Sequence, residues 1–137
     1  MTNRTLCSIL LTVFGIVLCL LVIADNTHFW SPQMAVESLT VDFGNVSTTD
    51  DVRQEIVVKN TGRSSLVIHR VSPSCSSCIV IQSYPKEPIP PGKQGIIEFT
   101  LDVSHMRDNI ETSFIIISNA KPQEVAVVKV AANVMTE

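Results

Sequence analysis

The larger, C-terminal part of the chain alternates apolar and polar residues, with turn-forming residues between the alternating runs. Successive side chains of a β-strand point to opposite faces, so this alternation predicts strands with one buried and one solvated face. The run 97–103 shows the pattern most clearly, because apolar and polar residues alternate along its whole length. We recognise seven such runs, over residues 39–43, 54–59, 66–71, 79–81, 97–103, 112–118 and 124–134.

Seven short strands separated by turns predict an all-β fold, a seven-stranded immunoglobulin-like antiparallel sandwich. The turn Asn60-Thr61-Gly62 favours a hairpin between the second and third runs. Residues 114–117 are apolar on both faces, which indicates either a central strand or a face that something else covers.

The first two dozen residues follow a different pattern, with a continuous apolar run and no charge from Leu6 to Ala24. As a helix this run would be about 28 Å long, close to the roughly 30 Å hydrocarbon core of a bilayer. We therefore predict a transmembrane anchor, or uncleaved signal, over residues 6–24. A cleaved signal peptide and a lipid anchor on Cys19 are the alternatives, although the residues around both cleavage positions are bulkier than usual.

The charges around this run predict its orientation, since Arg4 precedes it and Asp25 follows it. Residues 1–5 are then cytoplasmic, residues 25–35 form a short tether, and residues 36–137 form the sandwich domain outside the cytoplasm, in the periplasm. Phe29 and Trp30 are predicted to lie at the membrane interface, where amphipathic rings are common; packing beneath the domain is the alternative.

The composition and the absence of known motifs exclude several classes of function. Ten Lys and Arg stand against 13 Asp and Glu with no basic block, so nucleic-acid binding is excluded. The chain has no phosphate-binding glycine loop, no zinc-protease motif, and no nucleophile with an assignable base. We therefore expect a protein that is not an enzyme and has no small-molecule substrate.

A Cys-x-x-Cys pair, Cys75 and Cys78, lies in the loop-like run SPSCSSCIV. Outside the cytoplasm such a pair usually forms a structural disulfide. Redox activity is the second interpretation, with His69 and Arg70 as the nearby groups that could lower a thiol pKa. A copper or zinc site is the third, with His69, His105 and Met106 as possible further ligands.

Short motifs in a fixed order carry a family resemblance: Asp42-Phe43-Gly44, then the stretches 59–62, 73–75 and 91–93, which read KNTG, PSC and PGK. Together they resemble the bacterial family called domain of unknown function 1573, over about Val36 to Val134. The resemblance implies an exported immunoglobulin-like sandwich, of the kind also seen in pilus chaperones and major sperm proteins, with no agreed biochemical activity. The family usually has one residue between its two cysteines. The two serines found here put a family metal role in doubt, and favour an internal bond if the motif serves thiol chemistry.

These observations favour a membrane-anchored, extracytoplasmic binding or structural module of the bacterial envelope. Its expected partners are the lipid bilayer, through residues 6–24, and another envelope protein, through an edge strand or a loop end. The alternative is a thiol–disulfide exchange or metal-handling accessory that acts through Cys75 and Cys78. A cofactor is expected only in the metal form of that alternative.

Overall fold

The computed structural model describes residues 9–19 and 30–135. The chain divides into two compact units, Met1–Trp30 and Ser31–Glu137. In the first unit, residues 9–19 form a helix. The second unit carries all the strands that the structure describes.

The second unit is a sandwich of two four-stranded sheets, so the predicted all-β sandwich is confirmed. One sheet has the order β1-β3-β6-β5 and the other the order β2-β8-β7-β4. The strands are β1 (Met34–Val36), β2 (Thr40–Ser47), β3 (Val52–Asn60), β4 (Ile68–Pro73), β5 (Ile79–Ser83), β6 (Gln94–Leu101), β7 (Asp108–Ser118) and β8 (Val125–Met135).

The predicted number of seven strands is wrong, because the described part of the domain has eight. The additional strand is β1, which begins in the predicted tether and ends at Val36. It pairs antiparallel with β3, with Met34 opposite Asn60 and Val36 opposite Val58. Three residues are too few to show an alternating pattern, so a strand this short has no clear signal in the sequence.

Two pairing predictions also fail. β2 pairs with β8 in parallel, so the sandwich is not purely antiparallel. β3 and β4 lie in different sheets, so the turn after Asn60 crosses between the sheets and does not close a hairpin. The apolar residues 114–117 are explained by the central position of β7, which lies between β8 and β4.

The prediction of a single-pass membrane protein, with a cytoplasmic N-terminus and a periplasmic domain, is contradicted. Among residues 9–19 and 30–135, no helix is long and apolar enough to cross a membrane. The described part of this helix, residues 9–19, spans about 17 Å, against roughly 30 Å for a bilayer core. The other residues of the predicted span, 6–8 and 20–24, lie outside the described residues.

The core is formed by the inward-facing residues of both sheets. At its centre Phe99, on β6, meets two aromatic rings of the opposite sheet. The ring centroid of Phe99 lies 5.0 Å from that of Phe114 and 6.2 Å from that of Phe43. Phe99 and Phe114 are fully buried, so these rings join the two sheets within the core.

Asn60, at the end of β3, is a fully buried polar residue that organises the loops at one end of the sandwich. Its side-chain Nδ2 donates to the carbonyls of Ser64 (2.7 Å) and Ile89 (2.9 Å). Its Oδ1 accepts from the amides of Gly62 (3.0 Å) and Gln33 (3.4 Å). All four hydrogen-bonding positions of the amide are therefore used.

Candidate functional site

The loop that carries the two cysteines joins β4, in one sheet, to β5, in the other. Ser74 follows the last residue of β4, and its amide donates to the carbonyl of Ser113 on β7 (2.9 Å). At the other end, the carbonyl of Cys78 accepts from the amide of Asp102, just beyond β6 (2.8 Å). The loop is thus fixed to both sheets by backbone hydrogen bonds.

Cys75 and Cys78 form a disulfide, with their Cα atoms 5.2 Å apart, so the predicted internal bond is confirmed. The bond closes a turn in which the amides of Cys78 and Ile79 donate to the carbonyl of Cys75 (3.2 and 3.1 Å). Both cysteines are half-buried, and Cys78 packs against the core. In this form neither sulfur is a thiolate, which is the state that binds metals or acts as a nucleophile.

The disulfide borders a groove of about 570 Å³ on the β2-β8-β7-β4 sheet. Residues of β7, β8 and the cysteine loop line most of it. The lining includes Cys75, Cys78, Ile110, Glu111, Thr112 and Lys129.

Beside this groove, the edge of β7 is open. β4 covers β7 from Ser118 down to Phe114, and the loop at Ser74 adds the contact with Ser113. β7 itself continues from there back to Asp108, paired only with β8. In the part of the chain that the structure describes, no strand pairs with the other side of residues 108–112.

The hydrogen-bond pattern shows which backbone groups face this open side. The carbonyl of Ser113 bonds to Ser74, and the amide of Lys129, opposite Ser113 on β8, donates away from β7 to Leu39 (2.9 Å). Ser113 and Lys129 are therefore a non-hydrogen-bonded pair of the antiparallel ladder. Because the pattern alternates, the amide and carbonyl groups of Glu111 and Asn109 also point to the open side.

The other predicted site residues lie on β4 and in the loop between β6 and β7. His69 and Arg70 are exposed on β4, and Arg70 lies about 10 Å along the strand before Pro73, where β4 ends. His105 and Met106 border a different cleft, with the turn after β2. None of these four residues lines the groove. Their predicted roles as activators or ligands stay predictions.

Of the predicted membrane-interface pair, Phe29 lies outside the described residues, and Trp30 is largely exposed. Within residues 9–19 and 30–135, no group of three or more His, Cys, Asp or Glu side chains is placed to hold a metal ion.

Near the loop, hydrogen bonds from Ser104 lower the pKa of the Asp102 carboxyl, with a smaller contribution from the charge of His105. Asp102 Oδ1 accepts from the amide of Ser104 (3.1 Å) and from its hydroxyl (2.5 Å). The carboxylate thus closes a tight turn after β6, at the residue whose amide holds Cys78. Its role here is to shape the chain next to the cysteine loop.

The sequence predictions missed the residues of the open edge, Asn109 and Glu111. The run over 112–118 was recognised because it is strongly apolar. The residues just before this run give a weaker indication of strand, because Ile110 and Thr112 continue the same inward-facing alternation. The loop-like run after Val71 indicates roughly where β4 stops, but nothing in the sequence shows which part of β7 it covers, and that decides whether the edge is open.

Replacing both Cys75 and Cys78 with serine is expected to lower the free energy of unfolding by about 2 kcal/mol, the chain-entropy value for so short a loop. Denaturant unfolding of the two proteins measures the difference. A domain with ordinary stability of roughly 5–15 kcal/mol stays folded after this change. An unfolded double variant would show that the disulfide holds the domain and not only the loop.

The fold resembles those of several solved structures. A protein of unknown function from Porphyromonas gingivalis W83 matches with a TM-score of 0.68 and 21% identity, over 78% of this chain and 49% of that one. The YadV chaperone matches with a TM-score of 0.55 and 10% identity, over 74% of this chain and 51% of that one. The chain therefore spans about half the length of each.

The ASH or PapD-like domain 7 of human CEP192 matches with a TM-score of 0.56 and 6% identity, over 78% of this chain and 88% of that domain. At these identities the likeness concerns the fold alone, and it confirms the resemblance to chaperone-type sandwiches. No curated protein matches the chain. The sequence profile of one family, described as protein of unknown function (DUF1573), matches residues 34–134. The chain belongs to the DUF1573 family.

Proposed function

We propose that this domain is a non-catalytic binding module that takes up an extended polypeptide segment by strand addition. The segment pairs with β7 along residues 108–112, next to the disulfide loop. One observation carries the proposal: β4 ends at Pro73, whereas β7 continues to Asp108, which leaves the edge of β7 open next to a groove.

The open edge offers the groups that strand addition requires. Glu111 and Asn109 together present two amides and two carbonyls to an incoming backbone. Each backbone hydrogen bond stabilises a complex by roughly 0.5–1.5 kcal/mol net. The adjoining groove supplies apolar contact, because Ile110 and the disulfide line it. This combination of main-chain hydrogen bonds and side-chain contact is the usual basis of peptide recognition at a sheet edge.

The polar groups near the groove support binding better than catalysis. Ser74 Oγ donates to the carbonyl of Ser113 (2.7 Å), so this hydroxyl serves to hold the loop. No histidine is found among the residues that line the groove. A hydroxyl without a neighbouring base is a weak nucleophile.

The variant Glu111→Pro tests the proposal. Proline removes the amide of residue 111, which faces the open side, and leaves the hydrogen bonds between β7 and β8 in place, so the fold tolerates it as edge strands do. We expect a ten-residue peptide selected from a random library on the whole chain to bind this variant about tenfold more weakly or worse, through the lost hydrogen bond and the clash of the proline ring. Calorimetric titration measures the affinity.

Glu111→Ala is the matched control, because it removes the same side chain and keeps the amide. Amide hydrogen exchange gives an independent reading: Asn109 and Glu111 exchange faster than Ile110 and Thr112 in the free protein, and become protected when peptide binds. Equal affinity of the proline and alanine variants, with no added protection at Asn109 and Glu111, would refute strand addition at this edge.

A second candidate function, thiol–disulfide exchange, is favoured by one observation: both cysteines line the same groove. A partner thiolate would attack one sulfur and form a mixed disulfide, with the other cysteine leaving as a thiolate. The double serine variant separates the two functions. Strand addition keeps its backbone hydrogen bonds in that variant, visible as protection of the Asn109 and Glu111 amides, and loses only the apolar contact with the disulfide. A mixed disulfide, visible as an added partner mass under non-reducing conditions, cannot form there.

A further inference from the structure

Resting on the proposed strand addition, we infer the kind of segment that fits: one that alternates apolar residues with a lysine or arginine placed opposite Glu111. The inference follows from the charge and burial of the β7 side chains along the open edge. It specifies the side chains of the partner segment, whereas strand addition alone specifies only an extended backbone.

An added strand would continue the rows of side chains that already cross the sheet. On the outer face, one row runs from Asp42 on β2 through Ala131 on β8 to Glu111 on β7. Glu111 is exposed and stands at the end of this row, beside the open edge. The residue placed next in the row, on the added strand, would lie directly against its carboxylate.

Among the residues that the structure describes, the carboxylate of Glu111 has no cationic partner. The ion pairs present between described residues join Arg53 to Asp51 and Lys121 to Glu124. Lys129 belongs to the neighbouring row, opposite Ser113, and makes no ion pair with Glu111. A cation on the added strand would complete a cross-strand pair, whereas an acidic residue would place like charges directly opposite each other.

The inner side of the added strand meets a different surface. Ile110 and Thr112 flank Glu111 in sequence and are half-buried, with their side chains on the inward face of β7. The half-buried disulfide of the cysteine loop lines the same groove. Because neighbouring residues of a strand point to opposite faces, the residues on either side of the cation would lie against these apolar groups.

The charged residues at the start of β7 are compatible with a cationic segment at the open edge. Arg107 and Asp108 are exposed, carry opposite charges, and do not line the groove. Glu111 is therefore the charged residue that would lie directly opposite a residue of the added strand. The complementary ligand is a cationic, alternating β-strand segment.

The test uses three synthetic nine-residue peptides of alternating valine and threonine, identical except for a central lysine, glutamine or glutamate. On the whole chain we expect the lysine peptide to bind roughly threefold more tightly than the glutamine peptide, and the glutamate peptide roughly threefold more weakly, as for a solvent-accessible cross-strand pair. Raising the salt concentration should reduce these differences. In the matched variant Glu111→Gln the three peptides should bind alike, and in Glu111→Lys the order should reverse.

Hydrogen-exchange protection of the Asn109 and Glu111 amides is recorded in every titration, because it reports strand addition whatever the central residue is. Protection by all three peptides with equal affinity would overturn the specificity inference and leave strand addition intact. Absence of protection with every peptide would overturn both. A lysine preference that persists in Glu111→Gln would also overturn the inference, since another group would then be responsible.

Discussion

Replacing Asn60 with alanine is expected to lower the free energy of unfolding by roughly 3 kcal/mol, because a buried donor or acceptor left without a partner costs about 1–3 kcal/mol. The substitution removes the acceptor of the Gly62 amide and the donor that Asn60 supplies to the carbonyl of Ser64. The carbonyl of Ile89 loses less, because it also accepts from the amide of Leu66 (2.9 Å). Denaturant unfolding followed by circular dichroism measures the change.

Asn133→Ala is the matched control, since it is the same substitution at an exposed site on the same domain. Asn133 makes one side-chain hydrogen bond, to Asn45 (2.9 Å), and its loss is expected to cost well under 1 kcal/mol. A similar loss of stability in the two variants would show that the amide network of Asn60 contributes little. Asn60→Asp sharpens the test, because it keeps the acceptor but places a carboxylate against two carbonyl oxygens, and should destabilise at least as strongly.

Phe99→Ala is expected to cost about 4 kcal/mol, within the range measured for large-to-small substitutions of buried aromatic residues. Phe99 is fully buried, and its ring contacts Phe114 and Phe43 across the two sheets. Its removal leaves a cavity where the sheets are joined, and the β-sandwich cannot collapse to fill it without moving whole strands. Thermal and denaturant unfolding give the loss.

Two further substitutions serve as controls for Phe99→Ala. Thr100→Ala changes the next residue of β6, on the outer face, where the hydroxyl accepts one hydrogen bond from Gln82 (3.3 Å), and should cost about 1 kcal/mol or less. Phe99→Leu keeps most of the apolar volume and should recover more than half of the loss. If Phe99→Ala and Thr100→Ala were equally stable, the aromatic cluster would not be the centre of the core.

Asn60 lies at the end of β3, and neither it nor its hydrogen-bond partners line the groove beside the open edge of β7. At temperatures where Asn60→Ala remains folded, its peptide affinity should therefore match that of the wild type. Glu111→Pro should show the opposite behaviour, with near-normal stability and weak binding. The fold and the proposed binding edge therefore depend on different residues.

The sequence alone determined most of the strands, because the alternation of apolar and polar residues is a local property. The runs around Phe99 and Phe114 appear in the structure as β6 and β7, with the apolar residues facing inward. The disulfide was also predictable, since Cys75 and Cys78 are close enough in sequence for a local turn to join them. The motif that contains Asn60 indicated a turn, and a turn is present.

Only the tertiary structure decided which strands are neighbours, because pairing depends on contacts between residues far apart in the chain. In the structure β2 lies parallel to β8, and β3 and β4 belong to different sheets. β1 joins the first sheet by pairing with β3. It also determined that residues 108–112 have an unpaired side. That property arises from the difference in length between β4 and β7 once they are aligned. Glu111 looks like an ordinary solvent-facing carboxylate in the sequence, and it becomes a candidate for recognition only because no described strand lies beside it.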